Sequence, residues 1–183
     1  KYYQQDAEVI YPPVDISKYK ISPEQEDYFL MVGRLVPYKN FELAVKVFNA
    51  IEKPLKIVGD GPEKKRLQMI AKKNIEFLGL VSDYKMPQIY SRAQAIIFPQ
   101  EEDFGLVAVE AMASGRPVIA YKSGGVLETV IDPERNREDP KRVSISYGID
   151  PNGADVDRAN GPTGIFFDQQ TEIALAQAIG RYY

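Results

Sequence analysis

The sequence contains no cysteine and no histidine. Without thiols there are no disulfides and no thiolate metal sites, and without imidazole the commonest general base and zinc ligand is missing. Chemistry must rest on Asp, Glu, Lys, Arg and backbone amides. A basic excess is lacking too: 23 Lys and Arg face 26 Asp and Glu, a net charge of -3. A nucleic-acid-binding surface needs such an excess to release phosphate counterions, so no nucleic-acid partner is expected and any phosphate site must be local. There is no run of about 18 apolar residues and no signal-peptide pattern, so the chain reads as soluble and cytoplasmic. What is present is 183 residues, 44% of them hydrophobic, enough for one well-buried domain. The chain opens on Lys1 rather than Met and stops on Arg181-Tyr182-Tyr183 in a helical stretch, which reads as a piece of a longer protein.

From Tyr28 onward, short apolar runs alternate with helix-length amphipathic segments. That alternation predicts β-α-β units and a mainly parallel sheet covered on both faces, an α/β, Rossmann-like three-layer sandwich. The strand candidates are residues 28–33, 55–59, 75–79, 95–99, 117–121 and 163–167. Phe41, Ala44, Val45, Phe48 and Ile51 recur at three and four residues, predicting a helix with one buried stripe. Further helices are expected at 62–73, 85–92, 105–114, 124–131 and 171–181. Residues 1–20, with VIYPPVD at 9–15, read as an interdomain linker and first strand, and residues 21–183 as the domain proper. Residues 132–160, rich in charge, Pro, Asn and Gly, read as an inserted surface loop.

Several motifs carry chemistry. GRLVPYKN (33–40) follows a strand and places Arg34 and Lys39 in its connection, a planar fork and a mobile point charge suited to an anion such as a diphosphate. GDGPEKK (59–65) is G-x-G but has Lys64 where a dinucleotide fingerprint needs a small residue, which argues against a nicotinamide enzyme. No G-x-x-x-x-G-K-[ST] occurs, which excludes a P-loop. DPNGADVD (150–157) looks superficially like a calcium loop, but its glycine is misplaced and no Glu closes it. In EEDFGLVAVEAMASGRPVIA (101–120), the helix start at Phe104 and Gly105 offers unpaired amides carrying roughly half a positive charge, an anion site. Glu102 precedes that helix and Glu110 interrupts its apolar run. Two carboxylates accept hydrogen bonds from neighbouring hydroxyls, so they suit a polyol such as a sugar or ribose.

The E-x7-E of Glu102 and Glu110, preceded by VGRLVPYKN and GDGP and followed by SGGVLETV (123–130), resembles the carboxy-terminal, nucleotide-sugar-binding domain of the retaining GT-B glycosyltransferases called group 1, or family 4. The likeness covers about residues 8–131 and 162–183. It implies one half of a GT-B enzyme, in which the other domain holds the acceptor, and VIYPPVDISKY looks like the crossing between the two. Arg34 and Lys39 would bind the donor diphosphate and offset the charge that builds as it leaves. Phe104, Gly105 and Leu106 would present amides to the sugar and phosphates, Glu102 would contact sugar hydroxyls, and Glu110 the ribose. Gly33 belongs to the same donor site, and Val81 and Lys85 fall where the family cradles the base. The resemblance implies no cofactor and no metal, the two cations doing a metal's work. The catalytic set is then Arg34, Lys39 and Glu102.

The partners implied are a nucleotide-sugar donor and, through the missing amino-terminal domain, a sugar or glycolipid acceptor; any contact with a membrane surface would also come through that domain. The function implied is retaining transfer of a hexose in polysaccharide or glycolipid synthesis, with mannose from GDP-mannose favoured by the likeness of YPPVD to mannosyltransferase sequences. The isolated domain is expected to bind donor without turning it over. Two rivals are a GT-B sugar-nucleotide 2-epimerase, which should use cleft acids and a histidine, and a non-catalytic sugar-nucleotide-binding module.

Overall fold

In the computed structural model of the chain, the described residues are 8–133 and 162–183. Six strands, β1 (Phe29–Val32), β2 (Leu55–Val58), β3 (Ile75–Gly79), β4 (Ile96–Phe98), β5 (Val118–Tyr121) and β6 (Gly164–Phe167), form one sheet in the order β3-β2-β1-β4-β5-β6. Every pairing is parallel. The helices are α1 (Phe41–Ile51), α2 (Lys64–Ile70), α3 (Met86–Arg92), α4 (Leu106–Ala113), α5 (Val126–Thr129) and α6 (Glu172–Tyr182).

The alternation of side chains along each strand splits the core into two layers. Phe29, Met31, Leu55, Ile57, Ile97, Ile119 and Phe167 point to one face and pack with Phe41, Ala44, Val45 and Phe48 of α1, Leu67 of α2, and Leu175, Ala178 and Ile179 of α6. Leu30, Ile96, Phe98, Val118, Ala120 and Phe166 point to the other and pack with Tyr90 of α3, Ala108 and Ala111 of α4 and Val126 of α5. Strands buried on both faces must be largely apolar, which is why they read as short apolar runs in the sequence, broken by Lys56 in β2 and by Glu76 in the edge strand β3. The three-layer sandwich expected from the alternation is the fold found.

Two expectations are corrected. The described part of the first segment, residues 8–20, contains no strand; it holds a 3-10 turn at Ile16–Lys18 instead. Pro12 and Pro13 have no N–H to give a ladder, and Val9, Ile10 and Tyr11 are exposed rather than packed in the sheet. At the head of the inserted loop, Asp132 is buried, and its Oδ2 accepts the Phe166 N–H at 2.7 Å, so this residue belongs to the edge of the fold. Residues 134–160 of that loop, with the calcium-like stretch at 150–157, lie outside the described residues.

Candidate functional site

The sheet order reverses direction between β1 and β4, which pair side by side through Leu30 and Ile96. In open α/β sheets the connections leaving the carboxyl ends of two such strands diverge and leave a crevice, the usual place for a ligand. The connection after β1 carries Gly33, Arg34 and Lys39. The connection after β4 carries Glu102, Phe104, Gly105 and Leu106. The topology therefore sets the two predicted motifs on either side of one crevice.

On the β1 side, Pro37–Lys39 forms a 3-10 turn that ends in Asn40 at φ 52°. The turn sends the Lys39 stem back over the strand end, so that a Cβ on Gly33 would lie 3.2 Å from Lys39 Cδ. Lys39 Nζ donates to Glu102 Oε1 at 2.5 Å, with side-chain exposures of 13% and 20%. Gln100, buried, donates to the same Oε1 from its Nε2 at 3.3 Å. Arg34 is exposed, and its side chain has no hydrogen-bond or ion-pair partner among the described residues. One cation is thus tied to a carboxylate while the other is left free.

On the β4 side, Gly105 is the N-cap of α4 at φ 85°, a left-handed conformation that a side chain resists. Its carbonyl accepts the first helical bonds from Ala108 and Val109, which leaves the Leu106 and Val107 amides ahead of the ladder. Phe104 is half-buried, Gly105 buried, and Leu106 exposed at 45%. The loop before the helix is held by the next connection: Gly125 N–H donates to Glu102 O at 2.8 Å. A Cβ on Gly125 would come within 2.3 Å of Asp103 O, so the backbones touch there.

Glu110 lies half-buried on α4 between the buried Val109 and Ala111. Its Oε2 accepts the hydroxyl of Tyr90, a fully buried residue of α3, at 2.7 Å. Burial, then the charge and hydrogen bond of Glu110, hold the Tyr90 phenol well above its ordinary value. Tyr19 packs edge-on against Tyr90 with ring centroids 5.8 Å apart. Its phenol is also raised, by burial first and then by hydrogen bonding to Glu110 and its charge. Val81 is half-buried against the same core layer and Lys85 is exposed at the N-cap of α3.

The first segment lies against this site. Tyr11 donates to Glu128 Oε2 at 2.6 Å and its ring stands 5.7 Å from Phe104. Arg116 fixes the chain further along, donating to Ser91 O at 2.7 Å and Ser22 O at 2.6 Å. Tyr90, Tyr19, Tyr11 and Gln100 were not singled out by the sequence reading. The available signal was that a tyrosine on a buried helical stripe needs a partner for its hydroxyl.

Comparison with known proteins gives the arrangement a family. The profile described as "Glycosyl transferases group 1" matches residues 15–142. The chain belongs to the group 1 glycosyltransferases. Within that family it is 35% identical over 111 residues to an uncharacterized glycosyltransferase of Methanocaldococcus jannaschii, covering 58% of this chain and 32% of that protein. It is 34% identical over 131 residues to the O-antigen chain mannosyltransferase RfbU of Salmonella typhimurium, covering 65% of this chain and 37% of the relative. It is 27% identical over 202 residues to the alpha-1,3/1,6-mannosyltransferase ALG2 of Kluyveromyces lactis, covering 82% and 40%. The chain therefore spans less than half the length of these relatives.

Solved structures share the GT-B half-fold. Anabaena HepE in complex with UDP and glucose superposes with a TM-score of 0.68 at 23% identity, over 95% of this chain and 46% of that one. Sucrose-phosphate synthase from Thermosynechococcus elongatus gives 0.67 at 26% identity, over 92% and 41%. No helix among the described residues is long and apolar enough to cross a membrane.

Proposed function

We propose that this chain is the donor-binding half of a retaining glycosyltransferase that moves a hexose from a nucleotide sugar to a polysaccharide or glycolipid acceptor held by a second domain. The observation that supports the proposal is that the connections leaving β1 and β4, neighbours in the sheet, carry Arg34 and Lys39 on one side and Glu102 and the start of α4 on the other, with Lys39 and Glu102 in contact. Arg34 has no competing partner among the described residues, so it can take the diphosphate with a bidentate fork. The amides at Phe104, Gly105 and Leu106 add donors to the phosphates and the sugar. Lys39 stands between the phosphate and sugar ends because it already touches Glu102, the proposed partner of the sugar hydroxyls. As the glycosidic bond breaks, negative charge collects on the leaving diphosphate, and the two cations offset it without a metal. Glu110 faces the ribose, and Val81 and Lys85 flank the base.

Mannose from GDP-mannose is the favoured donor, its sugar supported by the Salmonella and Kluyveromyces relatives, both mannosyltransferases by name. HepE, described in complex with UDP and with UDP-glucose, keeps uridine donors in the test. That test is ligand-observed NMR of the chain against GDP-mannose, UDP-glucose, UDP-N-acetylglucosamine and ADP-glucose, with Arg34→Ala as control. One donor should bind to the wild type and lose affinity in the variant. Equal binding of wild type and variant would remove Arg34 from the site. Binding of none of the four would defeat the donor-binding proposal for this chain.

A further inference from the structure

We infer that Tyr90 is a positioning residue for the nucleotide: its hydroxyl, 2.7 Å from Glu110 Oε2, holds that carboxylate so that its remaining lone pairs meet the hydroxyl pair of a ribose. The inference rests on the donor-site reading above and deepens it.

The two carboxylates of the site are satisfied in different ways. Glu102 is ion-paired with Lys39. Glu110, half-buried on a helix that is otherwise apolar from Leu106 to Ala113, has no Lys or Arg paired with it among the described residues. A carboxylate in such surroundings is costly unless hydrogen-bonded, and what it receives is phenols, Tyr90 at 2.7 Å and Tyr19 beside it. The choice of donor has a consequence. A Lys or Arg partner would neutralise the charge, whereas the two neutral hydroxyls take two of about four lone-pair sites and leave the rest for a ligand. An ionised carboxylate with spare lone pairs binds two adjacent hydroxyls by charge-assisted hydrogen bonds, stronger than neutral ones.

Aim matters as much as charge, and Tyr90 supplies it. A glutamate side chain turns about three bonds, and each rotamer sends its oxygens elsewhere. Tyr90 is fully buried, its ring wedged in the core layer with Leu30, Ile96, Ala108 and Ala111. Tyr19 closes it edge-on from the first segment. A ring locked in this way fixes the position of its hydroxyl, and the hydroxyl fixes Oε2. The burial of Tyr90 is thus converted into the orientation of Glu110 before any ligand arrives, which lowers the ordering cost of binding.

The experiment titrates UDP, GDP and ADP into the wild-type chain and into Tyr90→Phe, then repeats the best binder as its 2′,3′-dideoxy form. Tyr90→Phe keeps the ring and removes one hydroxyl. The expected result is a loss of about tenfold in affinity for the ribose nucleotide, the size of one hydrogen bond to a charged group. For the dideoxy nucleotide, wild type and variant should bind alike. A residue that only supported the fold would weaken both ligands equally, so an equal loss overturns the inference, as does no loss at all. In either case the donor site stands. Failure of the wild type to bind any of the three overturns the donor-site reading, and this inference with it. A second measurement needs no variant: with tyrosine isotope-labelled at Cζ, the Tyr90 resonance should shift when the ribose nucleotide is added to wild type and stay still with the dideoxy form. A resonance that ignores both overturns the inference even if Tyr90→Phe fails to fold.

Discussion

Arg34 and Lys39 carry the same charge in the same connection, yet their surroundings differ. Arg34 is exposed and unpartnered among the described residues, so Arg34→Ala should leave stability within about 0.5 kcal/mol of wild type. Lys39 holds a largely buried carboxylate, and Lys39→Ala would leave Glu102 Oε1 with only the Gln100 amide. Removing one partner of such a pair strands the other charge, so Lys39→Ala should cost about 1–3 kcal/mol, read by urea denaturation. In an enzyme carrying its acceptor domain, either substitution should lower turnover roughly 100- to 1000-fold, because each removes a preorganised donor to charge that develops as the bond breaks. A steady-state assay that found one of them fully active would take that residue out of catalysis. The split in stability and the shared loss in turnover separate a structural tie from a chemical one. At this scale the sequence showed which charged residues were unusual, because a carboxylate inside an apolar run and cations after a strand are visible one position at a time. It did not show Tyr90 or Tyr19. Their partner lies on another helix, and nothing in IYSR distinguishes a tyrosine that donates to Glu110 from one that donates to a carbonyl.

The strands and helices were legible because both signals used to read them are physical requirements of this fold. A strand covered on two faces has to be largely apolar, and a helix covering it has to repeat at three and four residues, as α1 does. The first segment was misread because VIYPPVD shows the β-branched and aromatic residues of a strand while its prolines remove the ladder. Such a segment is ordered by side chains instead: Tyr11 on Glu128 and Phe104, Tyr19 on Tyr90. The element that matters most to the site is the junction before α4, and it can be tested through two glycines. Gly105 sits at φ 85°, where a Cβ would also meet the Phe98 ring at 3.2 Å, so Gly105→Ala should cost about 1–2 kcal/mol in backbone strain. Gly125→Ala should be worse, since its Cβ meets the carbonyl of Asp103 at 2.3 Å and backbone cannot yield as a side chain can. On the proposed function both should weaken donor binding more than their distance from the ligand suggests, because both move the amides proposed to meet the phosphates. Denaturation midpoints and a donor titration on the two variants check this; a Gly125→Ala as stable as wild type would mean that the two connections do not support each other.

Across the whole molecule, the order β3-β2-β1-β4-β5-β6 explains why motifs separated by some sixty positions meet, as Lys39 and Glu102 do across |i−j| = 63. The sequence announces parallel strands, but their order comes from how the crossovers pack, so which two connections share a crevice is explained only by the topology. The same packing leaves a signature in alkaline solution. Tyr28 is almost fully buried in the core layer of α3 and α4, where burial pushes its phenol up to about 12. Tyr90 and Tyr19 are raised in the same layer, for the same first cause. In the unfolded chain each titrates near 10. Below that value both states keep the proton, and the phenols contribute no pH dependence. Above it the unfolded chain loses protons that the folded chain retains, so the unfolded state binds fewer protons and stability falls as pH rises. For Tyr28 the fall runs from about 10 to about 12 and then levels; for the other two it continues upward. Urea denaturation at about pH 8 and about pH 11 should therefore show a marked loss at the higher value. Tyrosinate absorbance in native solution should meanwhile reveal a set of phenols that ionise only as the chain unfolds. Tyr28→Phe should lessen the loss, because it removes a proton that only the folded state holds. A variant that lost as much stability as wild type between the two pH values would show that the core layer of α3 and α4 does not keep Tyr28 from water.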